Sequence, residues 1–88
     1  MQKHELKTIP LPFQAIWEGR KAYELRPNDR PFKTGDELLL REWDDTKSLY
    51  TGRQVTATIT YITEGGTFGL PQDRCVLGIK VTARKEGP

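Results

Sequence analysis

The sequence is short of the residues from which metal and disulfide sites are built. Its 88 residues include one cysteine, Cys75, and one histidine, His4. One cysteine cannot form an intrachain disulfide, and the lack of a disulfide framework favours a reducing compartment, so we predict a cytoplasmic protein. A structural zinc site normally takes four Cys or His ligands. We therefore predict no metal site.

Long apolar runs and an excess of one charge are also missing. No stretch approaches the ~20 apolar residues of a membrane span, and residues 1–5 lack the apolar segment of a signal peptide. Fourteen Lys and Arg stand against twelve Asp and Glu, a net charge of +2. That balance alone does not indicate nucleic-acid binding, which depends on a clustered basic face. No phosphate-binding loop or dinucleotide fingerprint is present, so no cofactor is predicted. Because no apolar run is long enough for a span, no membrane partner is predicted either.

The hydrophobic pattern predicts one small, mostly β domain over residues 1–83 and a flexible tail over residues 84–88. Strands are predicted at residues 4–9, 21–26, 37–43, 54–61 and 75–82. Alternation in the fourth strand places Val55 and Tyr61 on one face, whereas the run 38–40 (LLL) indicates a strand buried on both faces. About five strands with one early helix predict a closed or nearly closed β-barrel.

One short helix is predicted at residues 12–18. Phe13, Ile16 and Trp17 have the i, i+3, i+4 spacing of a single helical face. Pro12 at the start and Gly19 after the end follow the usual distribution of these residues at helix termini. Two turns of helix are unstable alone, so this face is expected to pack against the sheet.

Charged side chains concentrate where the helix meets the second strand. Lys21, Glu24, Arg26 and Arg30 lie within ten residues. Arginine and lysine suit phosphate, and a carboxylate can accept a hydrogen bond from the exocyclic amine of a base. In a regular strand Glu24 and Arg26 share a face and Lys21 points away, so Lys21 joins them only if the junction is irregular. The alternative is a purely structural ion pair between Glu24 and Arg26.

Gly19, Lys21, Glu24 and Arg26 match the GxKxxExR signature of ASCH domains at all four positions, so this segment resembles that branch of the PUA-like superfamily. Further similarity to small bacterial and phage ASCH-like proteins of unknown function is found at residues 4–7, 28–32, 35–36, 38–43 and 50–53. The resemblance spans about residues 4 to 80. It implies a PUA-like β-barrel with a cleft beside the first helix. It also implies that Lys21 and Glu24 line this cleft and that RNA is the ligand.

Five residues outside the signature are predicted to contact the same ligand: His4, Arg30, Trp43, Tyr50 and Arg53. Trp43 ends a strand beside a polar loop, where an indole ring can stack on a base. Tyr50 and Arg53 flank two residues that indicate a turn able to present both side chains, and Arg30 is a candidate phosphate contact. His4 is included because of the family resemblance. The alternatives are a surface histidine at residue 4 and a turn with an exposed arginine at residues 50–53.

Three functions are compatible with these residues. The first is a module that binds nucleic acid, with RNA preferred, or a nucleotide. The second is a small hydrolase acting on a modified nucleoside or RNA, with Lys21 and Glu24 as acid and base. The resemblance includes amidohydrolases with a threonine nucleophile where Glu24 stands, and a carboxylate replaces a hydroxyl poorly in that chemistry. The third is a protein-interaction module, which no exposed amphipathic stripe supports. The binding module is preferred.

Overall fold

The computed structural model describes residues 1–87, and the five predicted strands and the helix are present there with altered ends. The elements, in chain order, are β1 (Lys3–Thr8), α1 (Pro10–Trp17), β2 (Tyr23–Pro27), β3 (Glu37–Asp44), β4 (Leu49–Thr63) and β5 (Arg74–Lys85). The predicted class, a mostly β domain with one short N-terminal helix, is confirmed for the described residues.

The five strands form one sheet that curves into a half-barrel, in the order β1–β3–β4–β5–β2. β1 pairs with β3 in parallel, and the other neighbours are antiparallel. The edge strands β1 and β2 meet across a seam that side chains bridge. The Arg26 Nη2 group donates to the Lys7 carbonyl at 2.9 Å, and Arg30 Nη1 donates to the Glu5 carbonyl at 3.1 Å. These arginines occupy carbonyl groups of the β1 edge, which are otherwise available to another strand.

The core lies between α1 and the inner face of the sheet. Phe13 and Ile16 of α1 are fully buried against it, and Trp17 packs at its margin. Leu38 and Leu40 of β3 are buried, but Leu39 between them is only half-buried. The expectation that the LLL run is buried on both faces is therefore wrong, because α1 covers only one face of this strand.

Helix α1 begins two residues earlier than predicted, at Pro10. The first turn of a helix needs no N–H partners, so Pro10 and Pro12 both fit there. The helix ends at Trp17, and two residues later Gly19 has a left-handed φ of +84°. This conformation lets the Arg20 N–H donate to the Ala15 carbonyl at 2.9 Å, which completes a Schellman motif.

A β-bulge in β4 moves Tyr61 to the outer surface. Ile59 pairs with Ile79, but Tyr61 pairs with Gly78, so Thr60 is an extra residue on β4. The extra residue reverses the alternation, and Ile62 packs on the core while Tyr61 is 71% exposed. The prediction that Tyr61 faces inward with Val55 is therefore wrong.

A second irregularity in β4 replaces the predicted turn between Tyr50 and Arg53. From the Arg41–Gln54 pair to the Trp43–Tyr50 pair, β3 advances two residues while β4 advances four. Gly52 has a φ of +95° inside this bulge, a conformation that glycine adopts without strain. The strand therefore continues to Leu49, and the residues on the two sides of the bulge point in different directions.

Strand β5 extends into the segment predicted as a flexible tail. Arg84 pairs with Val55 and Lys85 with Gln54, and the Arg84 Nε donates to the Trp17 carbonyl at 2.9 Å. Pro88, also part of that predicted tail, lies outside the described residues. Within residues 1–87, no helix has the length and apolar character needed to cross a membrane.

Candidate functional site

A cleft of about 320 Å³ lies at the seam between β1 and β2. Its walls come from the end of β1, the first turn of α1, and β2 with the turn that precedes it. The lining residues are Lys7, Thr8, Ile9, Pro12, Lys21, Glu24, Leu25 and Arg26. This volume is at the lower end of the range for small-molecule sites in proteins.

The three charged signature residues converge on this cleft because the junction before β2 is irregular. The strand begins only at Tyr23, and the Lys21 N–H still bonds to the Ala15 carbonyl of α1 at 3.1 Å. Lys21 Nζ donates to the Glu24 Oε1 atom at 3.1 Å, and Arg26 Nε donates to the Glu24 Oε2 atom at 2.7 Å. The ion pair between Glu24 and Arg26 that the sequence left as an alternative is therefore present, and its members also line the cleft.

Glu24 holds the two cations in place. It is only 3% exposed, and each carboxylate oxygen accepts a hydrogen bond from a different cation. A buried carboxylate needs such partners, because desolvation without them costs several kcal/mol. Lys21 Nζ also donates to the Tyr23 carbonyl at 2.7 Å and lies 4.5 Å from the centre of the Tyr23 ring. These contacts fix the ammonium group at the cleft wall.

Arg26 connects the signature to the end of β1. Its Nη2 group donates to the Lys7 carbonyl and, at 3.1 Å, to the Thr8 Oγ1 atom. Its Nη1 group has no hydrogen-bond partner among residues 1–87. The guanidinium is a rigid planar fork, so these contacts fix the direction of the remaining donor.

The cleft combines positive charge with apolar walls. Three basic residues line it beside the single carboxylate of Glu24, and the remaining walls come mainly from Ile9, Pro12 and Leu25. Ile9 and Leu25 are each about half exposed. The arrangement is suited to an anionic ligand that also carries an apolar or aromatic part.

Trp43 and Tyr50 lie on the outer face of the sheet and connect to the cleft through Lys7. We define the cation–aromatic patch as Lys7, Arg41, Trp43 and Tyr50. Lys7 Nζ lies 3.9 Å from the centre of the Trp43 ring system, and Arg41 Cζ lies 3.8 Å from the centre of the Tyr50 ring. The two aromatic rings meet edge to face with centroids 4.9 Å apart. Lys7 therefore belongs to both the cleft and the patch.

Arg53 lies where the helix packs on the sheet, away from the cleft lining. The bulge in β4 directs it to Glu42, with 3.0 Å between Arg53 Nε and Glu42 Oε1, and its Nη2 group donates to Gln14 of α1. Its guanidinium also stacks over the Trp17 ring at 4.8 Å. The hydrogen bond from Arg53 lowers the pKa of Glu42 against the opposing effect of burial, with a further contribution from the Thr51 hydroxyl. These contacts hold α1 on the sheet.

His4 points into the protein from β1 and pairs with Asp36. The His4 Nε2 atom is 2.9 Å from Asp36 Oδ2, both side chains are buried, and the His4 ring packs against Phe32. Hydrogen bonds to Asp36, first from the Gln2 N–H and then from His4, lower the pKa of that carboxyl to about 2. The pair joins the N-terminus to the turn before β3, and His4 is not among the cleft-lining residues.

Sequence reasoning missed most of the wall opposite the signature. Arg30 reaches the seam but does not line the cleft, whereas five residues that do line it were not predicted: Lys7, Thr8, Ile9, Pro12 and Leu25. The position of Lys7 near the end of β1, shortly before the helix that begins at Pro10, was a local indication that this residue could line a cleft. Nothing local indicates that this strand end faces β2.

Metal-ligating and nucleophilic groups do not assemble in the described part of the chain. No three His, Cys, Asp or Glu side chains of residues 1–87 lie close enough together to hold a metal ion. Cys75 is buried as predicted, and this burial raises the pKa of its thiol. Its environment is that of a small core residue.

Comparisons with known proteins give one family and one phage relative. The model of a family described as a domain of unknown function, DUF3850, matches residues 3–79, which include every residue that lines the cleft. A protein of Escherichia phage P2, described as an uncharacterized 12.9 kDa protein in the GpA 3′ region, is 41% identical over 61 residues. The match covers 69% of this chain and 54% of the phage protein, so the chain spans about half the length of that relative.

Proposed function

This chain belongs to the DUF3850 family, and we propose that it is a module that binds a nucleotide unit, free or within RNA, in the cleft between β1 and β2. The observation that carries the proposal is the convergence of Lys21, Glu24 and Arg26 on one open cleft. An ion pair between Glu24 and Arg26 that only stabilised the fold would require no open space beside it.

The chemistry of the walls fits the parts of a nucleotide. Lys7 and Lys21 are point charges for a phosphate group, and Arg26 directs an additional planar donor. Ile9 and Leu25 offer apolar contact to the face of a base. Glu24 acts in this proposal as a positioning residue for the two signature cations, because both of its oxygens already accept hydrogen bonds.

We further propose that the chain is related to ASCH domains, and this relation favours RNA as the ligand. The support is that each signature position has a physical role in this fold. Gly19 takes the left-handed conformation that ends α1, and the irregular turn after it brings Lys21 to Glu24. Proteins read RNA mainly on unpaired bases in single strands, and a small cleft at a sheet edge can take one such base.

The hydrolase alternative is less well supported by the same geometry. Glu24 is enclosed between Lys21 and Arg26, and both of its oxygens already accept hydrogen bonds from these two cations. General acid–base catalysis needs a group within hydrogen-bond reach of the reacting atom. The arrangement therefore favours binding over turnover.

The test is the affinity of a fluorescein-labelled single-stranded RNA of mixed sequence, measured by anisotropy. We expect Lys21→Ala to weaken binding about 10- to 100-fold, the usual cost of losing a hydrogen bond to a charged group. The matched control is Lys80→Ala, which removes an equal charge from an exposed position on β5 outside the cleft. The logarithm of affinity should fall with the logarithm of salt concentration, with a slope of about −0.7 for each phosphate contacted.

Two results would contradict the proposal. Equal losses in Lys21→Ala and Lys80→Ala would show that net charge, not the cleft, determines binding. Shortened RNA on a gel after incubation with the wild-type protein, but not with Lys21→Ala, would favour the hydrolase instead.

A further inference from the structure

The cation–aromatic patch adjoins the proposed nucleotide cleft without belonging to it. The two share one residue, Lys7, which lines the cleft and whose Nζ atom lies over the Trp43 ring. We infer that the ligand is a single-stranded chain of at least two nucleotides. One base enters the cleft, the phosphodiester binds Lys7, and the neighbouring base stacks on Trp43. This inference rests on the proposed function of the cleft.

Strand register places the patch on the outer surface beside the cleft. Lys7 of β1 is level with Arg41 of β3, and Trp43, two residues further along β3, is level with Tyr50 of β4. Residues two apart in a strand share a face, so Arg41 and Trp43 point outward together. The four side chains form two adjacent pairs, one cationic and one aromatic, that begin at the cleft wall.

The aromatic pair is held ready for stacking. The edge-to-face contact between Trp43 and Tyr50, with centroids 4.9 Å apart, fixes the orientation of the indole ring. Arg41 lies over Tyr50 and is itself held by Glu5 at 3.1 Å. A base that stacks on Trp43 therefore meets a ring already in position, so the ordering cost of binding is small.

Without ligand, the Lys7 ammonium covers the face of the Trp43 ring on which the second base would stack. A phosphodiester is a better partner for this ammonium than the ring is. A cation over an exposed aromatic ring is a weaker contact than a base stacked on that ring. When the Lys7 ammonium moves from the ring to the phosphate, it gains a charge-assisted contact and uncovers the indole. The exchange favours a ligand that carries a phosphate and a second base next to it.

The same argument selects single strands. A base can stack on a protein side chain only when it is free of its neighbours in a duplex. Single strands of RNA and DNA both offer a base beside a phosphodiester. This shared chemistry satisfies both subsites with either sugar. The experiment therefore compares both sugars.

The first test compares adenosine 5′-monophosphate with the dinucleotides ApA and d(ApA) by titration calorimetry. We expect ApA or d(ApA) to bind the wild-type protein about tenfold or more tightly than the monophosphate, the contribution of one stacked base. Trp43→Leu should reduce this ratio to within about twofold. Tyr61→Leu is the matched control, because Tyr61 is an exposed aromatic residue outside the patch, and it should keep the full ratio.

A second measurement uses the wild-type chain and does not depend on the folding of a variant. The protein has two tryptophans, Trp17 and Trp43, and NMR resolves their indole N–H signals. A dinucleotide should shift the Trp43 signal more than the monophosphate does, because only the dinucleotide brings a base onto the ring, and the signal of Trp17 on α1 should serve as an internal reference.

The outcomes separate the two proposals. If the monophosphate binds but neither dinucleotide binds more tightly or shifts the Trp43 signal further, the two-nucleotide inference is wrong and the cleft proposal stands. If the preference for a dinucleotide survives in Trp43→Leu, the second base lies elsewhere and the inference is also wrong. If none of the three ligands binds, the proposed function itself fails.

Discussion

Glu24 and Glu42 are both buried, and each accepts a short hydrogen bond from an arginine Nε atom, 2.7 Å from Arg26 and 3.0 Å from Arg53. The surroundings of the two pairs differ. The Glu24 pair stands at the seam of the half-barrel, contacts a second cation and borders an open cleft. The Glu42 pair lies under the rings of α1, and its arginine is covered by Trp17 and bonded to Gln14.

The comparison shows that an arginine–glutamate pair does not by itself indicate a ligand site. Sequence reasoning assigned Arg26 and Arg53 to the same ligand for different reasons. Arg26 belongs to the GxKxxExR signature, and Arg53 flanks a candidate turn. The structure places Arg26 at a sheet edge beside the cleft, and Arg53 between the helix and the sheet, away from the cleft lining. The four predictions that follow test this difference, from the largest effect to the smallest.

Removing the carboxylate of the enclosed pair should have the largest effect on stability. We expect Glu42→Ala to lower the free energy of unfolding by about 3 kcal/mol, because it leaves the Arg53 charge without its partner in a mostly buried site. Urea unfolding followed by circular dichroism measures this loss. RNA affinity of the folded variant should match that of the wild type, and a weakened affinity would mean that the enclosed pair belongs to the ligand site.

Conservative substitutions at the two arginines should have similar effects on stability but different effects on RNA affinity. Lysine keeps the charge but loses the planar fork, so Arg26→Lys should lose the bridge to Lys7 and Thr8 and lower RNA affinity about tenfold. Its stability should fall by about 1–2 kcal/mol for the lost hydrogen bonds. Arg53→Lys should show a similar loss of stability with affinity within about twofold of the wild type. Equal affinities for the two variants would remove the distinction between the pairs.

Acid should weaken the ion pair between Glu42 and Arg53 in a defined range of pH. The folded pKa of Glu42 is below its ordinary value of 4.5, with the Arg53 hydrogen bond as the first cause. A lowered pKa contributes stability that is complete above the unfolded pKa and is lost as the pH falls through the folded pKa. The stability difference between the wild type and Glu42→Gln should therefore be constant near pH 7 and shrink below about pH 4.5. A difference independent of pH would show that the charge of Glu42 is not what Arg53 stabilises.

Asp36 provides the reference for that titration. Its folded pKa of about 2 lies below the ordinary value of 3.8, so its own contribution is lost between these two values as the pH falls. The loss assigned to Glu42 is the part of the acid transition that disappears in Glu42→Gln and persists in Asp36→Asn.

The smallest effect is expected at Arg30, the second arginine that bridges the seam. Its side chain is exposed and makes one hydrogen bond, to the Glu5 carbonyl. Arg30→Ala should change the free energy of unfolding by less than about 1 kcal/mol and RNA affinity by about two- to threefold, as for a peripheral charge. A loss of RNA affinity as large as that of Arg26→Lys would show that the binding surface extends along β1 to Arg30.

Local patterns in the sequence predicted the elements well but not their irregularities. The alternation through Val55 and Ile59 gave the correct buried face of β4, but the bulge at Thr60 reversed it before Tyr61. Nothing in the residue types around Thr60 distinguishes a bulge from regular pairing, because the extra residue is defined only by its partner strand. The bulge around Gly52 separated Tyr50 from Arg53 for the same reason.

The candidate site was half predictable. Lys21, Glu24 and Arg26 are close in sequence, so a local irregularity at the junction, which the sequence left open, was enough to bring them together. His4 lies in the predicted strand β1, but its side chain is held by Asp36, which is 32 residues away in the sequence. Lys7 and Leu25 meet across the seam only because four strand pairings curve the sheet until its edges approach.

The sequence by itself determined the β class, the position of α1 and the grouping of Lys21, Glu24 and Arg26, because periodicity and short spacing act within one or two elements. Only the tertiary structure decided which of the two arginine–glutamate pairs borders open space, and that Lys7 stands between the cleft and Trp43. These relations depend on strand order, register and bulges. Each of these is set by contacts between distant segments rather than by the preferences of neighbouring residues.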